Sequence, residues 1–383
     1  MLRTLFLTTF ALTLAACSAS SSSPAEPRNP PNELGAFAVG HATFTIVDDS
    51  RGDRPLLIDI WYPVDDADTE GEELRQYTLS GLLGPISEVA LADAPVSARS
   101  NQSLLIFSHG YQGIGTSAVG LMEALASHGF IVAAPEHTGN AQQSPTDSFD
   151  EAAANRVPDV SFLIDEMIRR NREASDPFHQ RLDEARVGVL GHSFGGMTSI
   201  GMGSGWAGAA ADPRVVAILP MSAVIVPELQ SDTRTSPNAG FTQEQLESIA
   251  IPVMLMGGTE DVDVFPENNE IAFDQLSNAP RVYNVEIIGA NHTHFANVCW
   301  IGDHLISIDL TPDKWPGLGA EDLIEPYEAT CGPEAFPIDR ANRVMNLYTV
   351  AFFRRHLRGE VAYDVYLSTE YAETEPDVNF ARK

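Results

Sequence analysis

Residues 186–196 read Arg-Val-Gly-Val-Leu-Gly-His-Ser-Phe-Gly-Gly. A short apolar run rich in β-formers (Val187, Val189, Leu190) meets Gly191-His192-Ser193-Phe194-Gly195, and the small residues beyond can open a helix. This is the Gly-x-Ser-x-Gly pattern of a nucleophile elbow, a tight strand-to-helix turn that lifts a serine hydroxyl out of a sheet. Glycines two residues either side of Ser193 have a steric reason: a side chain at either place would meet the neighbouring strand or helix. A Gly-rich turn without chemistry carries the same letters, so the pattern decides only together with the rest of the chain.

On both sides of the elbow, strands and helices alternate. Apolar strand-like runs occupy residues 104–107, 130–134, 215–219, 253–256 and 282–288, the last two read as the final strands. Helical periodicity covers residues 117–128 and 157–170, the latter through Val160, Leu163, Ile164 and Met167. A short helix over 242–249 carries a capping box, Thr242 with Gln245, and a final helix over 339–358 ends at Gly359. Strands joined by crossover helices predict a mostly parallel central sheet with helices on both faces, its chemistry at the carboxyl ends of the strands. Residues 42–47 and 56–62 flank Arg51-Gly52-Asp53 and predict an antiparallel N-terminal hairpin. Residues 68–100 are mixed and acidic and suggest no element.

The 383 residues include 53 acidic and 23 basic ones, a formal charge of −30, which speaks against nucleic acid and anionic membrane surfaces as partners. Lysine occurs only at Lys314 and Lys383; an acidic surface poor in lysine is what solubility at high salt would call for. Arg3 precedes an apolar stretch at 5–12, too short to span a bilayer as a stable helix. Leu14-Ala15-Ala16-Cys17 follows and resembles the lipobox of bacterial lipoproteins, which implies cleavage before Cys17 and acylation of its sulfur. The expected organisation is a signal peptide over 1–16, a lipidated Ser/Pro-rich tether over 17–36 and one folded domain over 37–383, with an insertion at 299–336 before the final helix. Ser18 in place of Asp after the cysteine points to the outer membrane or the periplasmic face of the cell envelope. In an oxidising compartment the remaining pair, Cys299 and Cys331, is most simply a disulfide.

A serine hydroxyl needs a base, and a histidine base needs an orienting carboxylate; in this architecture the chain order is serine, acid, histidine. The strand at 253–256 runs into Gly257-Gly258-Thr259-Glu260-Asp261-Val262-Asp263, where Asp261 is the preferred acid and Asp263 and Glu260 are alternatives. After the last strand, Gly289-Ala290-Asn291-His292-Thr293-His294 offers His292 as the base, ahead of His294. The amides of Phe194, next to the serine, and Tyr111, after the 104–107 strand, are the candidate oxyanion donors. His292, His294, Asp303 and His304 would make a competing metal set, but alternate residues of an extended segment face opposite ways, so no metal and no cofactor is expected.

Leu105-Ile106-Phe107-Ser108-His109-Gly110, Ala126-Ser127-His128-Gly129-Phe130-Ile131-Val132-Ala133-Ala134, Glu136-His137, the elbow with Gly196, and His292 with Phe295-Ala296 together resemble the platelet-activating factor acetylhydrolase family of α/β-hydrolases. The resemblance runs over roughly residues 37–298. It implies an α/β-hydrolase catalytic domain, and it carries Ser193, His292 and the Tyr111 and Phe194 amides to their roles. The acid departs from the eukaryotic members, which place it after the strand following the nucleophile, where this chain has Leu219-Pro220-Met221. Asp261, one strand later, resembles the dienelactone-hydrolase-like and cutinase-like polyester hydrolases, and Ser193 replaces the cysteine of dienelactone hydrolase itself. The expectation is a serine esterase, anchored to a membrane through Cys17, acting on acetylated or short-chain phospholipid esters. Polyesters or general short-chain esters are the alternative, and a non-catalytic binding lipoprotein on the same fold is the reading from another class.

Overall fold

The computed structural model describes residues 29–79, 82–230 and 236–383. Cys17, the signal peptide and most of the tether lie outside the described residues. The N-terminal hairpin consists of β1 (Ala38–Asp48) and β2 (Arg54–Val64), paired antiparallel from Ala38 opposite Val64 to Asp48 opposite Arg54. The unassigned acidic stretch also folds into strands, β3 (Leu74–Leu79) and β4 (Leu82–Ala92). Register shifts at Gln76 break the period-two alternation by which such strands are read. Then follow β5 (Gln102–Ser108), β6 (Ile131–Glu136), β7 (Leu182–His192), β8 (Val215–Met221), β9 (Val253–Gly258) and β10 (Val282–Ile287). A further strand, β11 (Val378–Arg382), lies antiparallel on β10, so the two strands expected to be last are not. All eleven form one sheet in the order β11-β10-β9-β8-β7-β5-β6-β2-β1-β4-β3, with the block from β10 to β6 parallel.

Side chains of the central strands alternate between two apolar clusters, one on each face. Leu105 and Phe107 of β5, Leu190 of β7 and Met254 and Met256 of β9 belong to one cluster. Leu104 and Ile106, Val187 and Val189, and Val253 and Leu255 belong to the other. A strand covered on both sides by helices must be apolar at every position, and β5 is buried throughout. The first face is covered by α1 (Val119–Ser127) and, later in the chain, by a long C-terminal helix; the second by α2 (Phe149–Arg172), α3 (Phe194–Ser204), α4 (Gln243–Ser248) and α5 (Glu267–Gln275). Val160, Leu163, Ile164 and Met167 of α2 are each completely buried.

Helix α2 begins eight residues before its expected start. Pro158 imitates a first-turn proline, but the real cap is Ser148, whose side chain accepts from the Glu151 amide while Glu151 caps back. Beyond β10 come α6 (Val298–Ser307) and α7 (Ile324–Cys331) in the insertion, then α8 (Ile338–His356) and the short α9 (Thr369–Ala372). The helix expected to be final is therefore followed by another helix and a strand. Among the described residues no helix is long and apolar enough to cross a membrane.

Chain order reverses between β5 and β7: β5 continues to β6 on one side, and β7 to β8 on the other. A crevice opens at the carboxyl ends of strands at such a switch point. The end of β5 and the elbow meet there, Ser108 opposite Gly191.

Candidate active site

Ser193 sits between β7 and α3 with φ 57° and ψ −119°, a conformation that a non-glycine residue adopts only when its surroundings enforce it. The enforcement is visible. The Ser193 amide donates to the Met221 carbonyl at 2.8 Å, and its carbonyl accepts from Met197 at 3.1 Å. A Cβ on Gly191 would lie 2.3 Å from the Gly195 carbonyl oxygen, and one on Gly195 would lie 1.8 Å from that of Ser108. Both glycines are thus required by close backbone approach, helix against strand and elbow against β5.

Asp261 lies three residues past β9, and the loop carrying it is seated against the loop after β10: Glu260 donates to the Ala290 carbonyl at 2.9 Å. Its Oδ2 is 2.9 Å from His292 Nδ1, and its Oδ1 accepts from the amides of Asp263 at 3.0 Å and Val264 at 2.7 Å. Burial raises the Asp261 carboxyl, but the bonds from His292 and Val264 outweigh it and hold the group below its ordinary range. Asp263 is exposed, and among the described residues its side chain is paired with no base. His292 opens a short 3-10 turn capped by Asn291. His294 is committed elsewhere: Nδ1 lies 2.6 Å from Asn291 Oδ1 and Nε2 3.0 Å from the Phe336 carbonyl oxygen.

Ser193 and His292 line one cleft of about 240 Å³, with Tyr111, Phe149, Phe194, Met197, Val224 and Pro227 supplying apolar wall. No direct hydrogen bond joins the Ser193 and His292 side chains; such a bond is often loose until substrate occupies the cleft. Phe194 is the first residue of α3, so its N–H has no acceptor within the helix. The rings of Tyr111, Phe149 and Phe194 pack together at 5.1 to 5.9 Å between centroids. A larger cavity of about 520 Å³ lies at the opposite, amino ends of the strands. It contains neither Ser193 nor His292; its own Ser127 and His128 are bonded to the Ala124 and Glu33 carbonyls, and its Arg354 and Arg358 reach the carbonyls that end α1. The smaller cleft is the one that brings Ser193 and His292 together.

Two residues around the cleft escape a reading of the sequence. His192 packs tilted against His292 at 4.5 Å between centroids, and burial, then the neighbouring His292, push it down to about 3, so it backs His292 as a neutral ring. Arg156 lies fully buried on the inner stripe of α2, beneath residues 108–111. The available signal is the break in pattern: Arg156 and Asp159 fall where the helical period calls for apolar side chains. Asp261, Asp263 and His292 also offer three potential metal ligands within 4.8 Å of one another. Asp261 already spends both oxygens on His292 and two amides, so this donor set suits a carboxylate that orients a histidine better than one that binds a cation.

Comparison with known proteins agrees with this geometry. The family model of platelet-activating factor acetylhydrolase, isoform II, matches residues 25–176, ending before the elbow, and that of the prolyl oligopeptidase family matches residues 120–297. Cutinase 1 of Thermobifida cellulosilytica is 24% identical over 241 residues, 58% of this chain and 78% of that protein. The platelet-activating factor acetylhydrolase of Canis lupus familiaris is 30% identical over 162 residues, 31% of this chain and 36% of that one. A ferulic acid esterase from Streptomyces cinnamoneus superposes with a TM-score of 0.61 at 24% identity, covering 90% of this chain and 96% of its own. With an elbow serine at the switch point of a parallel sheet, and matches that run through both halves of that sheet, the chain belongs to the α/β-hydrolase superfamily.

Proposed function

We infer that the protein is a serine carboxylic-ester hydrolase working through an acyl-enzyme. The observation that carries this is the 2.9 Å contact between His292 Nδ1 and Asp261 Oδ2 at the rim of the cleft that Ser193 shares. Ser193 Oγ attacks the ester carbon while His292 Nε2 takes its proton, and Asp261 holds the Nδ1–H and balances the imidazolium. The amides of Tyr111 and Phe194 receive the oxyanion. His292 returns the proton to the leaving alcohol, and water repeats the sequence on the acyl-enzyme. Cutinase, acetylhydrolase and esterase are the names borne by its relatives, and they point to the same class of bond.

For substrate we propose short acyl groups on neutral or zwitterionic partners, acetylated phospholipids among them. The cleft is smaller than the ~300 Å³ at which drug-sized pockets begin, and a charge of −30 disfavours anionic esters. A polyester reading is favoured by one observation, the cutinase alignment, which spans 241 residues and most of that enzyme. Anchoring through Cys17 completes the proposal and places the enzyme at the cell envelope; Cys17→Ala should release it from the membrane fraction. Ser193→Ala is expected to lower turnover of p-nitrophenyl butyrate by about a millionfold. A fluorophosphonate should label Ser193, whereas a folded protein left unlabelled would be a binding lipoprotein instead.

A further inference from the structure

We propose that Arg156 is the positioning residue of the oxyanion hole, a buried guanidinium that fixes the peptide presenting the Tyr111 amide and packs against the residue presenting the other. This assignment rests on the ester-hydrolase reading and adds to it a group that never touches substrate.

Arg156 is 0% exposed. Its Nη1 donates to Ser108 Oγ at 3.0 Å and to the His109 carbonyl at 2.5 Å. Its Nη2 donates to the Gly110 carbonyl at 2.9 Å and to Asn140 Oδ1 at 2.6 Å. Burying a guanidinium is costly, and here its hydrogen bonds among the described residues go to neutral oxygens, three at the end of β5 and one, of Asn140, in the loop after β6, rather than to a carboxylate. That cost shows as an arginine drawn down to about 9, burial being the main cause.

The Gly110 carbonyl is the centre of the arrangement. Besides Arg156 it accepts from His109 Nδ1 at 2.8 Å and from the Gly113 amide at 3.2 Å. Three donors on one oxygen leave the peptide between Gly110 and Tyr111 a single orientation. In a trans peptide the carbonyl and the following N–H point opposite ways, so with the Gly110 oxygen turned to Arg156 the Tyr111 N–H is turned from it. On the other side the guanidinium carbon lies 4.8 Å from the centroid of the Phe194 ring, a cation–π contact with the residue that supplies the second amide.

The clamp is itself anchored. His137 donates from Nδ1 to Asp159 Oδ2 at 2.9 Å, Ser108 Oγ donates to His137 Nε2 at 3.1 Å, and Arg156 donates to Ser108; these tautomers follow from the partners on each nitrogen. Asp159 is gripped by Arg54 at 2.8 and 2.9 Å and tied to Arg51 at 2.7 Å. Arg51 is also paired with Asp48 at 2.6 Å, so two arginines meet two carboxylates at this end, and the row runs from the hairpin turn between β1 and β2 to the oxyanion loop.

Arg156→Gln, Arg156→Lys and Asn140→Ala in the full chain test the assignment, read by thermal melting, by kcat and KM on p-nitrophenyl butyrate, and by affinity for butylboronic acid, which forms a tetrahedral adduct on the serine. A misaimed oxyanion donor costs about a hundredfold to a thousandfold in kcat, so Arg156→Gln should lose that much, with little change in KM and a parallel loss of boronate affinity. Lysine, a point charge without the planar fork, should restore only part of the rate. A folded Arg156→Gln enzyme with wild-type kcat, or one whose boronate affinity is untouched, overturns the proposal. Should Arg156→Gln fail to fold, Asn140→Ala decides, because it removes only one acceptor of the guanidinium: a fall in kcat at constant KM supports the clamp, and an unchanged kcat overturns it. Fluorophosphonate labelling of the wild-type chain separates the two levels. An unlabelled wild type removes the ester-hydrolase reading, whereas a labelled wild type with undisturbed Arg156 variants removes only this assignment.

Discussion

At the scale of single residues, two carboxylates on one loop have been given different work by their surroundings. Asp261 is 2% exposed, engages His292 through one oxygen and receives two backbone amides on the other. Asp263, two residues on, is exposed and contributes its amide to Asp261. The bonds that hold Asp261 ionised also select the His292 tautomer with Nε2 free of its proton, as the proposed transfer from Ser193 requires. Asp261→Asn should lower kcat/KM by about ten-thousandfold, since an amide can favour the wrong tautomer while keeping the shape. Asp263→Asn should stay within a few-fold of wild type. Kinetics of the two variants on one ester settle the matter, and the reverse order of damage would move the orienting role to Asp263.

At the scale of elements, the insertion after the base is tied to the base. Cys299 at the start of α6 and Cys331 at the end of α7 form a disulfide with a sequence separation of 32. The last turn of α7 then meets both neighbours of His292: the Ala329 carbonyl accepts from Asn291 Nδ2 at 3.2 Å, and the hydroxyls of Thr330 and Thr293 bond to each other. Replacing both cysteines by serine should cost about 3 to 4 kcal/mol in melting experiments, the chain-entropy value for such a loop. It should also lower kcat, measured well below the new melting temperature, because the turn carrying His292 loses its outer support. A destabilised double variant with full kcat would show that the insertion is only a surface addition.

Elements also divide by how well the sequence announced them. The elbow, the hairpin and the strands leading to Asp261 and His292 are legible because each runs apolar or alternates and ends in turn residues whose geometry is required, such as Gly195 against Ser108. Helix α5 is not, since its buried positions include Asn268 and Asn269, the former spent on the amides of Ile225 and Val226. Strand β11 pairs at an edge with its side chains exposed or half-exposed, and so it lacks an apolar face to read. Within the site, the residues proposed to do chemistry occupy motif positions, whereas Arg156 betrays itself only as a charge on an apolar stripe. Its partners come from loops brought together by the fold, and spacing along the chain does not encode that.

At the scale of the whole molecule, two electrostatic effects pull the acid stability in opposite directions. With a charge of −30 and an isoelectric point near 4.5, mild acid relieves self-repulsion and by itself would stabilise the folded state. Against this stand histidines buried in the neutral form. His128 and His356 are pushed down to about 4, and His137 and His192 to about 3, in each case chiefly by burial. A histidine whose folded value is depressed contributes stability that is complete above its unfolded value near 6.5 and is lost as pH falls toward the folded one. Near pH 5 each of these four takes up almost one proton on unfolding, worth about 1.4 kcal/mol per pH unit apiece. Glu123 and Glu136, raised by burial, act the other way, but they are two against these four, and His41, His109 and His294 are lowered by burial as well. The histidines should therefore win: the melting temperature should fall between pH 6.5 and 5, and His128→Gln, which keeps a donor for the Glu33 carbonyl, should flatten the slope by about one proton. A melting temperature that climbs steadily toward the isoelectric point would mean that surface repulsion, and not the neutral interior, governs the stability of this enzyme in acid.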